Sequence, residues 1–118
     1  GINYRAIRYA DVLLMAAEAN SRKASPNDSK AQNYLNQVRA RAFGNNSRAS
    51  SSTGATLTKE IWNERRLELA MEGHRFFDLV RTGEAAATIP GFIAGKHEVF
   101  PIPQTEIDIS GLTQNAGY

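Results

Sequence analysis

The sequence contains no cysteine among its 118 residues and only two histidines. Without thiols it can form neither a disulfide framework nor a thiolate metal site. No apolar run approaches the roughly 18 residues that a membrane-spanning helix needs. Fourteen Lys and Arg stand against twelve Asp and Glu, so the net charge is only +2. Because positive and negative residues alternate along the chain, this small surplus does not favour binding to nucleic acid.

The residues that are present suffice for a folded domain. Hydrophobic residues make up 42% of the chain, and a chain of this length buries roughly two thirds of its unfolded surface. We expect one domain over residues 1–118. The chain opens with Gly1 and enters a helical pattern almost at once. We interpret this as a piece of a longer protein, with any export signal or lipid anchor upstream.

Apolar residues recur every three or four positions in the first third of the chain, which predicts two amphipathic helices. The first runs from Tyr4 to about residue 23 and has a face of small residues. The second runs from about residue 29 to residue 43, where Gly44 can end it. Two such helices joined by a short turn form a helical hairpin over residues 1–43, which resembles one tetratricopeptide unit.

The remaining two thirds of the chain are predicted from composition and turn residues. Residues 44–56, GNNSRASSSTGAT, form a polar loop that contains nothing suited to anchoring a core, so we predict a mobile loop. A long third helix is predicted over residues 57–82. Residues 83–118 should form an extended tail with a short strand at HEVFPIP and one turn near residues 104–107. The predicted fold class is all-α: a tetratricopeptide-like (TPR-like) hairpin and a long third helix, followed by an extended irregular C-terminal wrap.

The stretch ERRLELAMEGHRFFDLVR is rich in ionisable side chains and could be a metal site. Glu64, Glu68 and Glu72 are four apart and share one helix face, and His74 follows closely. Helical di-metal sites, however, use a Glu-x-x-His pair on each of two helices, and the zinc-protease pattern HExxH is absent. The other histidine, His97, lies in the tail. We therefore predict no metal site and no cofactor.

The alternative interpretation is that these charges stabilise the fold. Residues of opposite sign stand three apart, which is the spacing of pairs on one helix face. Large apolar residues adjoin them, so some pairs should be partly buried, where losing one partner is costly. Gly73 would then mark a close backbone approach by another segment, since a glycine in the middle of a helix is otherwise unfavourable. The members of this predicted structural charge network are Arg65, Glu68, Glu72, Arg75, Asp78 and Arg81.

Carboxylates on the first helix are a second candidate for catalysis. Asp11 and Glu18 lie two helical turns apart, about 10 Å, which exceeds the usual separation of a glycosidase pair. We prefer salt bridges from these acids to Arg39 and Arg41 of the second helix. The sequence also has no nucleophile–base pair and no glycine-rich phosphate loop. We predict no catalytic residue.

Three aromatic residues could stack on a sugar ring: Trp62, Phe92 and Phe100. Isolated aromatic residues in a domain this small are more often part of the core, and we prefer that interpretation. The ligand-binding residues are therefore left unknown.

Four stretches occur in a characteristic order: RYADVLLMAAEAN, YLNQVRARA, EIWNERRLELAMEGHRFFDLVRTG and FPIPQTEIDISGLTQNAGY. Together they closely resemble the C-terminal end of the SusD/RagB family, the outer-membrane nutrient-binding lipoproteins of Bacteroidetes. The resemblance covers nearly the whole chain. One departure is Ala116, where the family usually has proline before the final Gly-Tyr. The other departure is length, since members of the family are several times longer.

The resemblance implies a largely helical, non-enzymatic protein, tethered to the outer membrane by an N-terminal lipid and exposed at the cell surface. It implies that the protein binds glycans, oligosaccharides or other nutrients and delivers them to a SusC-like TonB-dependent transporter. In this family the glycan is bound mostly outside the matched region, so no ligand-binding residue is transferred here. One alternative is a helical-hairpin protein–protein interaction module without a small-molecule ligand. Another is a carboxylate-based hydrolase or metalloenzyme.

Overall fold

The computed structural model describes residues 6–118, and within that range the regular structure is helical, with no β-strand. The predicted all-α class is confirmed. The predicted start of the first helix at Tyr4 lies outside the described residues. The helices are α1 (Tyr9–Arg22), α2 (Asp28–Phe43), α3 (Gly54–Glu68), α4 (Arg75–Thr82), α5 (Ala85–Thr88) and α6 (Gln104–Ser110).

The chain divides into two compact units, the first ending at His74 and the second comprising Arg75–Tyr118. The single domain over residues 1–118 stays a prediction.

Helices α1 and α2 form the predicted hairpin at the start of the first unit. The side chain of Asn27 caps α2 by accepting from the Lys30 N–H at 2.9 Å. Gly44 ends α2 in the left-handed conformation, with φ 70°. Helix α3 packs on both α1 and α2. The fully buried side chains at the centre of this unit come from all three helices: Leu14, Ala17, Ala31, Leu35, Val38, Leu57 and Ile61. Each large apolar side chain buried in this way contributes about 1.5–3 kcal/mol.

The second half of the polar segment between α2 and α3 is held by hydrogen bonds with side chains of α2. The Asn36 amide donates to the Ser50 carbonyl at 3.0 Å and accepts from the Ser50 N–H at 2.7 Å. Gln32 donates to the Ser52 carbonyl at 2.8 Å. Hydrogen bonds from α2 therefore hold residues 50–52, and α3 begins earlier than predicted, at Gly54. The mobility of residues 44–49 stays a prediction.

The long third helix predicted over residues 57–82 is wrong. Helix α3 ends at Glu68, and α4 begins only at Arg75. Between them Met71 has φ 67° and Gly73 has φ 83°, which are left-handed conformations that an α-helix cannot contain. A Cβ added at Gly73 would meet nothing within 4 Å. Gly73 therefore serves the turn, and the predicted close backbone approach is wrong.

The second unit consists of three short helices and irregular backbone. The predicted turn near residue 104 is present as α6, which ends at Gly111 with φ 65°. The strand predicted at HEVFPIP does not form; residues 97–103 have no strand partner. Pro101 and Pro103 have no N–H to donate to a ladder, which explains this outcome.

Candidate functional site

A cavity of about 340 Å³ opens in the second unit. We call it the aromatic pocket, because five of its nine lining residues are aromatic: Phe76, Phe92, His97, Phe100 and Tyr118. Residues 89–91 and Val99 complete the lining. The volume falls within the range of about 300–1,000 Å³ that is usual for small-molecule sites.

The rings of the pocket form a connected cluster centred on Phe76 of α4. The Phe76 ring lies 6.5 Å from Phe92 and 6.0 Å from Phe100, measured between centroids. The His97 ring stands edge-on to Phe92 at 5.6 Å. These separations lie within the favourable range for aromatic pairs. Phe76 and Phe92 are half-buried, whereas Phe100 is 72% exposed. The prediction that Phe100 is a core residue is therefore wrong.

Trp62, the third aromatic residue considered from sequence, belongs to the first unit. It is half-buried, and the Arg22 guanidinium lies 5.5 Å from its ring centroid. That is a cation–π contact within the first unit.

The lining of the aromatic pocket includes two side chains able to form hydrogen bonds. His97 Nδ1 accepts from the Ile93 N–H at 2.9 Å, so the neutral ring bears its proton on Nε2 and can donate from there. The Tyr118 hydroxyl donates to the Val99 carbonyl at 3.0 Å and can still accept. Beside the pocket, Lys96 Nζ lies 4.7 Å from the Tyr118 ring centroid.

Side chains near the chain end bind the backbone of the segment that lines the pocket. Gln114 accepts from the Ile102 N–H at 2.8 Å and donates to the Ile102 carbonyl at 2.9 Å. Asn115 donates to the Phe100 carbonyl at 2.6 Å. We call Gln114, Asn115 and Tyr118 the C-terminal clamp. They satisfy backbone groups that a neighbouring strand would otherwise satisfy.

Sequence reasoning missed both the clamp and the pocket. The sequence did contain a signal for the clamp. Prolines interrupt the extended segment, so it cannot pair as a regular strand. Amide side chains follow it in the sequence, and such side chains can bind free backbone groups. The pocket had no comparable signal, because its lining comes from separate segments.

The predicted charge network is present in part, but several of its members pair with residues of α2 or of the beginning of the chain around the start of α1. Arg65 donates to Asp11 of α1 at 2.6 Å, and both side chains are buried. Glu68 accepts from Arg8 at 2.5 Å and also from Arg41 of α2. Glu72 accepts hydrogen bonds from the same Arg8 at 2.8–3.0 Å.

Within the second unit, Asp78 and Arg81 form the predicted pair, 2.7 Å apart. The pairing of Arg75 with Glu72 or with Asp78 stays a prediction.

The arginines of α2 pair with α3 rather than with α1, so the partners predicted for Asp11 and Glu18 are wrong. Arg39 contacts Glu64 at 2.8 Å and Glu60 at 3.2 Å. Glu18 pairs within its own helix, with Arg22 at 2.8 Å. The helices are thus joined by opposite charges on neighbouring surfaces.

Two of these carboxyl groups have pKa values below their ordinary value. Burial alone would raise the pKa of Glu60, but hydrogen bonds from Ser50 and Ser52, together with Arg39, hold the pKa down. The hydrogen bond from Arg8 lowers the pKa of Glu72. Its hydrogen bonds to Glu72 and Glu68 in turn raise the pKa of Arg8. Both carboxylates are ionised and engaged as acceptors at neutral pH, an arrangement that suits ion pairing better than proton transfer.

Two features are absent from the part of the chain that the structure describes. Within residues 6–118, no group of three or more His, Asp or Glu side chains is placed to bind a metal ion. None of the helices described there combines the length and apolar character needed to cross a membrane.

Comparison with known proteins assigns the family. The model of the SusD family matches residues 1–118. The chain belongs to the SusD family. It is 32% identical to SusD-like protein P2 of Formosa agariphila over 132 residues, which covers 98% of this chain and 26% of P2. It is also 32% identical to SusD-like protein P25 of the same organism, over 87% of this chain and 21% of P25.

A third relative is SusD-like protein P38 of Formosa agariphila, which is 36% identical over 83 residues. That alignment covers 66% of this SusD-family chain and 16% of P38. The chain therefore spans about a quarter, or less, of the length of these relatives.

Proposed function

We propose that this SusD-family chain acts in the capture of glycans, oligosaccharides or other nutrients at the bacterial outer membrane. It would be exposed at the cell surface on a lipid anchor, and it would deliver its ligand to a SusC-like TonB-dependent transporter. The family match over residues 1–118 is the observation that supports this proposal.

Capture of this kind is reversible binding and requires no catalytic group. The geometry of the first unit fits a scaffold role, because five of its carboxylates are paired with arginines of other segments: Asp11, Glu60, Glu64, Glu68 and Glu72. Glu64 and Glu68, two acids considered as metal ligands, are paired with arginines: Glu64 with Arg39, and Glu68 with Arg8 and Arg41. We therefore propose that the protein is not an enzyme.

Titration of the intact gene product with a panel of polysaccharides tests this proposal. We expect saturable binding by calorimetry and no shorter products by chromatography. Turnover that disappears in a normally folded Glu68→Gln variant would contradict the proposal and favour a carboxylate-based hydrolase. Delivery is tested separately, by asking whether the tagged protein retains a TonB-dependent transporter from solubilised outer membranes.

A helical-hairpin interaction module without a small-molecule ligand is the second candidate. One observation favours it: α1 exposes Tyr9, Val12 and Met15, at 71%, 43% and 45%. These apolar residues are three apart, so they lie on neighbouring positions of the helix surface, where a protein partner could pack. Absence of binding to every polysaccharide, together with retained association with the transporter, would favour this candidate.

A further inference from the structure

We propose that the aromatic pocket is a sugar-binding site that takes one or two rings of a neutral glycan. The inference rests on the proposed function in glycan capture and places one binding site in the second unit. It concerns residues for which the family match alone assigns no role.

The size of the pocket limits its occupant. A volume of about 340 Å³ lies at the lower end of the range for small-molecule sites. That space suits one or two sugar rings and is too small for a folded peptide segment.

The exposed ring of Phe100 provides a surface for stacking. It is 72% exposed, although its side chain is apolar and would gain by burial. The ring is inclined at 35° to Phe76, with centroids 6.0 Å apart, so the two rings form adjoining walls. The face of an aromatic ring carries negative charge density. The C–H groups of a pyranose carry a partial positive charge and can pack on such a face.

The polar groups of the pocket are a hydrogen-bond donor and an acceptor, both of which can bind the hydroxyl groups of a sugar. The Nε2–H of His97 is a donor, since Nδ1 already accepts from Ile93. The Tyr118 hydroxyl donates to Val99 and retains acceptor capacity. An ordinary sugar hydroxyl both donates and accepts, so it can use either group. A purely apolar ligand would use neither.

The lining contains no carboxylate, ammonium or guanidinium group, which favours an uncharged ligand. None of the nine lining residues is Asp, Glu, Lys or Arg. A charged ligand group placed against the phenylalanine rings would lose hydration there, which is unfavourable. The ammonium of Lys96 beside the pocket is already engaged with the Tyr118 ring. Neutral hexose and pentose units are therefore expected to bind better than uronic acids.

Two matched variants test the site. Phe100→Ala removes an exposed ring that lines the pocket. Phe77→Ala removes a ring that is 66% exposed and contacts Phe76 edge-on at 5.8 Å, but that does not line the pocket. Wild type and both variants are titrated with maltose, cellobiose, laminaribiose and xylobiose by calorimetry, after circular dichroism has shown equal helix content.

We expect at least one disaccharide to bind the wild-type chain. Loss of the Phe100 ring should weaken that binding about tenfold, whereas Phe77→Ala should leave it within about twofold. In the wild type, the same disaccharide should shift the NMR signals of Phe92 and His97, and glucuronic acid should not.

The failure of this inference is distinguishable from failure of the proposed function. A disaccharide that binds wild type and Phe100→Ala equally well would leave glycan capture intact and overturn this site. The site would also be overturned if none of the disaccharides bound, or if only benzyl alcohol, an apolar probe of one ring, shifted Phe92 and His97. Glycan capture by the intact gene product would then still be decided by its polysaccharide titration.

Discussion

The ion pair between Asp11 and Arg65 allows a direct test of whether the charges of the first unit stabilise the fold. The pair joins α1 to α3 at 2.6 Å, and its side chains are 6% and 7% exposed. At a charge separation of about 4 Å and an effective dielectric constant near 20, the attraction is about 4 kcal/mol. Desolvation offsets much of this, but breaking a buried pair leaves the other charge poorly compensated and typically costs 3–5 kcal/mol.

We expect Asp11→Ala to lower the free energy of unfolding by about 3 kcal/mol, a large part of the 5–15 kcal/mol typical of a folded protein. Arg65 makes further interactions besides this one, so Arg65→Met alone would overstate the value of the pair. A double-mutant cycle of Asp11→Ala and Arg65→Met isolates the coupling between them. That coupling should be about 2 kcal/mol.

Urea unfolding followed by circular dichroism measures the four free energies. Asp108→Ala is the control, because it removes an exposed carboxylate from α6 and should change stability by less than about 0.5 kcal/mol. A coupling energy below about 0.5 kcal/mol, or an Asp11→Ala variant as stable as the control, would show that this pair does not brace the first unit.

Three further predictions follow from particular contacts. Because the folded-state pKa of Glu60 lies below its ordinary 4.5, the unfolded chain binds more protons as the pH falls. The free energy of unfolding, measured by urea titration, should therefore drop in acid below about pH 4.5. This drop should be shallower for Glu60→Gln. Equal dependence on pH in wild type and variant would contradict the lowered pKa of Glu60. Met71→Asn should raise the free energy of unfolding by up to about 1 kcal/mol, since asparagine tolerates the left-handed conformation. The control Leu67→Asn changes an exposed residue of α3 and should not raise it. Urea unfolding measures both variants. Gln114→Ala should abolish hydrogen-exchange protection of the Ile102 amide, measured by NMR, whereas unchanged protection would mean that the clamp bond does not form in solution.

The hairpin could be predicted from sequence because its determinants are local. A repeat of three to four residues specifies the buried stripe of each helix, and Gly44 marks the end of α2. The break between α3 and α4 is a different case, because charged and apolar residues keep their helical spacing through the turn. The break depends on left-handed backbone at Met71 and Gly73. Nothing in a methionine indicates that conformation.

The charge network illustrates what spacing can and cannot predict. The rule for pairs three or four apart correctly identified Asp78 and Arg81. It did not identify the partners that the structure shows for Arg65 and Glu72, which are Asp11 and Arg8. Those partners are more than fifty positions away in the sequence. They can be identified only once the packing of α3 and its following turn against the start of α1 is known.

The clamp and the aromatic pocket are physically connected, which links the closing sequence motif to the candidate site. Prolines at 101 and 103 remove two donors, so the segment beside them cannot pair as a regular strand. Asn115 and Tyr118 instead bind the carbonyls of Phe100 and Val99, two residues that line the pocket. Loosening the clamp should therefore disturb the Phe100 ring as well as the backbone. If the pocket binds sugar, Gln114→Ala should weaken that binding without removing any side chain that lines the pocket.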